Sequence, residues 1–143
     1  MKRRVVITGI GVISPNGIGK KNFWDAIVNG KSAVERITAF DVSQFNSQVA
    51  SEVKGFNPRA FNLREDQIRR MDRYVQFAVA GAKMAVSDAG IDFASEDRES
   101  IGVCMANAIC CTKYMEDEFI VVTQWWKEPI NPEYVSPYIY DAS

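Results

Sequence analysis

Three groups of residues could do chemistry in this sequence. The first is Val5–Gly17, VVITGIGVISPNG, an apolar β-branched run that turns through Gly9 and Gly11. A dinucleotide site needs G-x-G-x-x-G, because the third glycine lets a helix pack on the strand and aim its N-terminus at a phosphate. Here Ser14 holds the third position, Pro15 follows, and the position about 20 residues on falls in the helical NFWDAIVNGK rather than on an acidic ribose ligand. The run therefore reads as a strand and tight turn, and a nucleotide-binding α/β module stays the alternative from another class. The second group is Cys104, Cys110 and Cys111, an odd count with no zinc-like spacing. The sequence has no histidine, so neither a Ser-His-Asp nor a Cys-His pair can be completed within it. Cys110 and Cys111 have only Lys113 as a cationic neighbour, and thiolate activation needs an electropositive setting. They read as small packed residues. The third group is basic: Arg64, Arg69 and Arg70, ahead of a long helical pattern. Such a cluster is either a docking surface for an acidic partner or a solvated helix face.

The elements that must position these groups follow from periodicity. Val5–Thr8 and Ile101–Met105 (IGVCM) are expected to be buried strands, with Val12–Ser14 extending the first beyond a kink. Asn22–Asn29 has Phe23, Trp24, Ile27 and Val28 at helical spacing and stops at Gly30. Ser32–Asn46 reads as irregular, anchored by Phe40 and Phe45, and Gln48–Val53 as an edge strand. One long helix is expected from about Gln67 to Ala89, ended by Gly90; its stripe is mostly alanine, so a neighbouring element should approach closely. A last helix is expected from Thr112 to Trp126, followed by a further turn at Asn131-Pro132. Helices alternating with strands give the α/β class.

Composition sets the outer limits. The 143 residues carry 17 basic and 18 acidic side chains, a net charge of -1 that gives no nucleic-acid footprint. No apolar run reaches the ~18 residues of a spanning helix, so no membrane partner is expected. MKRR before an apolar run resembles a signal peptide, but glycine and threonine break the run and no small-x-small cleavage site follows. With unpaired cysteines, this points to a cytoplasmic protein. The Trp125-Trp126 pair lacks a basic stripe and reads as core or interface.

RRVVITGIGVISPNG, FWDAIVNGKSAV, Phe40-Asp41 and RRMDRYVQFAVAGAKMAVSDAGI, in this order and spacing, together resemble the N-terminal part of β-ketoacyl synthases. FNSQVASEV, RMDRYVQFAV, YIYDAS and the glycine-poor MANAICCTKYMEDEF are most similar to the ketosynthase α subunit of type II aromatic polyketide synthases. The resemblance implies a thiolase-like layered αβαβα fold, of which residues 1–143 would be an N-terminal portion incomplete by itself. It implies an acyltransferase that condenses malonyl units onto a carrier-bound chain by decarboxylative Claisen chemistry, using a cysteine nucleophile and two histidines. None of these catalytic residues lies in this sequence. The resemblance further implies that Ile109, Cys110 and Ile139 line an acyl tunnel near a subunit interface; Ile109 and Ile139 read equally well as core residues. Arg69 and Arg70 fall at the family's carrier-docking positions, with Arg64 a neighbour by sequence only. No cofactor or metal is implied beyond the phosphopantetheine arm of an acyl carrier protein. The implied partners are the remaining polypeptide, that carrier and a chain-length factor. A chain-length factor itself, or a fatty-acid elongating ketosynthase, are the alternatives within the family. The abrupt apolar stretch Tyr134–Tyr140 adds the expectation of a larger folded unit.

Overall fold

The computed structural model describes residues 4–108 and 112–124. It divides into two compact units, Met1–Cys104 and Met105–Ser143. In the first, strands β1 (Ile13–Ser14) and β2 (Gly17–Ile18) form a tight antiparallel hairpin around Pro15-Asn16. The Gly19 amide donates to the Val12 carbonyl (2.8 Å), and the chain passes directly into helix α1, Lys20–Val28. This helix starts two residues before the expected Asn22, buries Ala26, and ends where Gly30 takes a left-handed φ of 63°.

Strands β3 (Val34–Arg36) and β4 (Val49–Ser51) pair antiparallel, Glu35 opposite Ala50. β4 is the expected edge strand. β3 lies in a stretch expected to be irregular; three residues of Val-Glu-Arg carry too little alternation to announce a strand, and pairing with β4 makes it one. Beyond the ladder, Glu52 accepts bonds from the Thr38 and Ala39 amides and from Thr38 Oγ1 (2.6 Å), which closes the hairpin. The Thr38 hydroxyl and amide bonds hold the Glu52 carboxyl below its ordinary range. Phe40 and Phe45 meet edge to face at 5.9 Å over the loop that buries Val42.

The expected single helix from Gln67 to Ala89 is two: α2, Glu65–Arg70, and α3, Arg73–Ala89. Met71 takes extended backbone (φ -106°, ψ 124°), and the Asp72 carboxylate accepts the Arg73 amide. The aspartate satisfies a first-turn donor that a continuous helix would have bonded to its own carbonyl, so the cap wins over the periodic pattern. Gly90 ends α3 in the left-handed region, as its position suggested.

Val5–Thr8 and Ile101–Met105 are not strands. Both lie in irregular backbone without ladder partners, with Val5 94% and Val103 86% exposed. Their β-branched composition suits a buried strand, but a strand exists only through its pairing, and neither segment meets one among the described residues. The closely packed neighbour expected for the alanine stripe is present all the same. A Cβ on Gly9 would overlap the Ala85 carbonyl and lie 2.6 Å from the Ala89 nitrogen; one on Gly11 would overlap the Gly81 carbonyl. These glycines are therefore explained by helix–backbone contact rather than by a phosphate. Asp88 fastens the same crossing: its Oδ2 accepts the Ile10 amide (3.0 Å), and its Oδ1 pairs with Lys20. The Lys20 bond, and then the Ile10 amide, hold the Asp88 carboxyl below its usual range.

The second unit contains helix α4, Thr112–Gln124, where a helix from Thr112 was expected; Lys113 and Asp117 form an i, i+4 ion pair on it. Among the described residues no helix is long and apolar enough to cross a membrane.

Candidate functional site

The basic group sits on an arm that leaves β4 at Val53 and returns at Asp72. Asn57 begins it: its Oδ1 accepts the Arg59 amide (3.1 Å) and caps a 3₁₀ turn, Pro58–Phe61, with proline at the start where no donor is needed. Asn62 reverses the chain at a left-handed φ of 55°, and Leu63 drives into the core. Gln67 Oε1 then reaches back to the Arg64 amide (3.0 Å) to start α2.

Charge along α2 is sorted. Glu65 and Asp66 occupy the first turn, Arg69 and Arg70 the last, the order a helix dipole favours. Each acidic residue already has a cation. Arg59 pairs with Glu65, and Arg64 holds Asp66 through two bonds of 3.0 and 2.9 Å, which keep the Asp66 carboxyl below its ordinary range. Arg69 and Arg70 are exposed and make no hydrogen bond or ion pair among the described residues. The structure thus separates the three arginines named from sequence: Arg64 is engaged locally, whereas Arg69 and Arg70 stand open side by side.

The aromatic residues Phe56 and Phe61 stack at 5.7 Å, and Phe77 of α3 meets Phe56 edge to face at 4.8 Å. Arg73 of α3 lies over the Phe77 ring at 5.1 Å and donates to the Val53 carbonyl (2.7 Å). Two concavities flank α3. One of about 320 Å³ is lined by Ile10, Lys20, Met84, Ser87 and Asp88, where the facing charges neutralise each other. The other, about 430 Å³, is an apolar groove along Val79, Ala82, Val86 and Phe93 with Lys83 at its rim.

Among the described residues no nucleophile is assembled. Cys104 is exposed in irregular backbone, and no cluster of three metal-ligating side chains occurs among the described residues. Ile109, Cys110 and Ile139 lie outside the described residues, as do Trp125-Trp126 and the Asn131-Pro132 turn. Arg73, Gln76 and Lys83 were missed from sequence; their shared signal is an i, i+3, i+10 spacing on one helix face. Chemically, this region presents two exposed guanidinium groups, Arg69 and Arg70, beside two that are already paired.

Comparison with known proteins places the chain in the thiolase-like α/β class. The β-ketoacyl synthase N-terminal domain model matches residues 2–131, so the chain belongs to the β-ketoacyl synthase family. It is 38% identical over 123 residues to the tetracenomycin polyketide synthase ketoacyl synthase alpha subunit of Streptomyces glaucescens, covering 86% of this chain and 29% of that protein. Among solved structures it is similar to a type II polyketide synthase acyl-carrier protein in complex with its ketosynthase bound to the hexaketide, with TM-score 0.72, 32% identity, and 99% of this chain and 32% of that one covered. It is also similar to the ishigamide ketosynthase/chain length factor, with TM-score 0.66, 30% identity, and 96% and 33% covered. The chain spans about a third of the length of the curated relatives it matches.

Proposed function

We propose that this chain is the carrier-facing N-terminal part of a β-ketoacyl-[acyl-carrier-protein] synthase that extends a carrier-bound polyketide chain. In the reaction proposed, a cysteine thiolate outside these residues takes the growing acyl group from one carrier's thioester. A second carrier's malonyl group loses carbon dioxide, and the enolate attacks the acyl carbon, releasing the enzyme thiolate and leaving a β-ketoacyl chain two carbons longer. Two histidines, also outside these residues, would stabilise the negative charge that develops. The only prosthetic arm required is the carrier's phosphopantetheine. The residues described here serve binding: Arg69 and Arg70 steer and orient an acidic carrier protein. The observation that carries this reading is their open pairing state beside Arg59 and Arg64, whose charges are taken up by Glu65 and Asp66.

The partners proposed are a carrier protein, a chain-length factor forming a heterodimer, and the polypeptide that completes the fold, all in the cytoplasm. Exposure of Val5, Ile7 and Val103 supports that completing contact, since each large apolar side chain stabilises by about 1.5–3 kcal/mol when buried. Ile109, Cys110 and Ile139 are proposed as tunnel residues on the resemblance alone. Reversing Arg69 and Arg70 to glutamate in the complete synthase should weaken carrier binding about tenfold or more at low salt and flatten its salt dependence. Unchanged affinity at low ionic strength would remove the arginines from the docking role.

A further inference from the structure

α2 has six residues, too few to hold a helical conformation or a direction unaided, so something outside it must aim Arg69 and Arg70. Three long side chains of α3 reach the arm, and all three end on main-chain carbonyls. Arg73 donates to Val53 O (2.7 Å), near the start of the arm. Lys83 Nζ donates to Phe61 O (2.8 Å) and Asn62 O (3.2 Å), where the 3₁₀ turn gives way to the left-handed reversal. Gln76 Nε2 donates to Met71 O (2.9 Å) and Ile68 O (3.3 Å), the carbonyls that bracket Arg69 and Arg70. Positions 73, 76 and 83 share one stripe of α3 with Ala80, which is fully buried, so the donors rise from a fixed helix face.

We infer that Gln76 and Lys83 are positioning residues for the carrier-docking arginines, fixing the arm through its carbonyls; this rests on the docking role proposed above. The carbonyls at the end of a helix have no partner within it, and Gln76 supplies one at the turn that carries the arginines. Because the clamp engages backbone, it holds the arm's path whatever side chains the arm presents outward. Arg73 acts in the same row at the arm's entrance.

The test uses the complete synthase and two substrates: the carrier-bound malonyl thioester, and a malonyl thioester of pantetheine alone, which has no carrier surface to dock. Gln76→Leu and Lys83→Met should each raise the KM for the carrier-bound substrate about threefold to tenfold, the net worth of a lost hydrogen bond. Turnover of the pantetheine thioester should not change, and Lys83→Arg, which keeps donors of similar reach, should restore the KM. In an Arg69→Ala/Arg70→Ala background, Gln76→Leu should have no further effect, since it acts through the residues already removed. If the arginine variant raises KM but Gln76→Leu and Lys83→Met do not, or add their full effect on top of it, the positioning role is overturned while docking stands. Equal losses on both substrates would show a general structural defect and overturn it too. An arginine variant with unchanged KM would instead bring down the docking role itself.

Discussion

The two faces of α3 are held by opposite means. On one, Gly81, Ala85 and Ala89 leave so little bulk that the backbone of Gly9 and Gly11 lies against the helix. On the other, Arg73, Gln76 and Lys83 extend to main-chain carbonyls of the arm. The first contact is set by missing atoms and admits almost no variation. The second is set by reach, and its strength is divided among several separable bonds. One helix thereby joins a rigid seam to an arm whose outward side chains are free to carry charge.

The contrast is broken most severely at the seam. Gly11→Ala would drive a methyl group into the Gly81 carbonyl, which is main chain and cannot swing aside, and should destabilise by about 3 kcal/mol or more. Thermal unfolding checks this, and Gly9→Ala should behave alike. On the arm face the largest expected loss is Phe77→Ala, which removes the edge-to-face partner of Phe56; about 2–4 kcal/mol is expected for this partly buried ring, read from the urea midpoint. At the joint between arm and helix, Asp72→Ala removes the α3 cap and should lower stability by about 1 kcal/mol, with Asp72→Ser or Asp72→Asn recovering most of it.

The smallest effect is acid sensitivity, and it sharpens the comparison because Asp88 belongs to the seam and Glu52 to the hairpin from which the arm departs. Both carboxyls are held below their ordinary values of 3.8 and 4.5. A depressed folded-state value means that the unfolded chain binds the proton more readily, so the stabilisation is complete above those ordinary values and is lost as pH falls through the folded ones. Stability should therefore be insensitive to these groups at neutral pH and decline only in the acid range. Asp88→Asn should make that decline shallower; an acid limb unchanged by Asp88→Asn together with Glu52→Gln would mean that other carboxylates dominate it.

Much of this architecture was legible in the sequence, for reasons local to each element. The helix ending at Gly30, the end of α3 at Gly90 and the close approach demanded by the alanine stripe each follow from one helix face or one glycine. Arg64, Arg69 and Arg70 were legible as a basic cluster, whereas the pairing of Arg64 with Asp66, which sets it apart from Arg69 and Arg70, depends on side-chain geometry. Val5–Thr8 and Ile101–Met105 were misread because composition records a preference for burial, while a strand also requires a partner that lies elsewhere. The break at Met71–Asp72 was overlooked because the apolar rhythm runs straight through it; only the capping chemistry of Asp72 marks it. The donor row of α3 left almost no trace, since a side chain bound to a distant carbonyl imposes no residue type on the other end.

The seam also has a history in time. Ile10 and Asp88, which close it, stand 78 positions apart in the chain. At the ribosome's pace of about 5–20 residues per second, the apolar Val5–Ile10 stretch is made some ~4–16 seconds before the helix end that receives it. Throughout that interval its main chain offers unsatisfied amides and carbonyls to any extended neighbour, including the same stretch on an adjacent ribosome of one message. Gly9, which admits no methyl group in the finished protein, therefore sits in a segment that must first survive emergence without a mate.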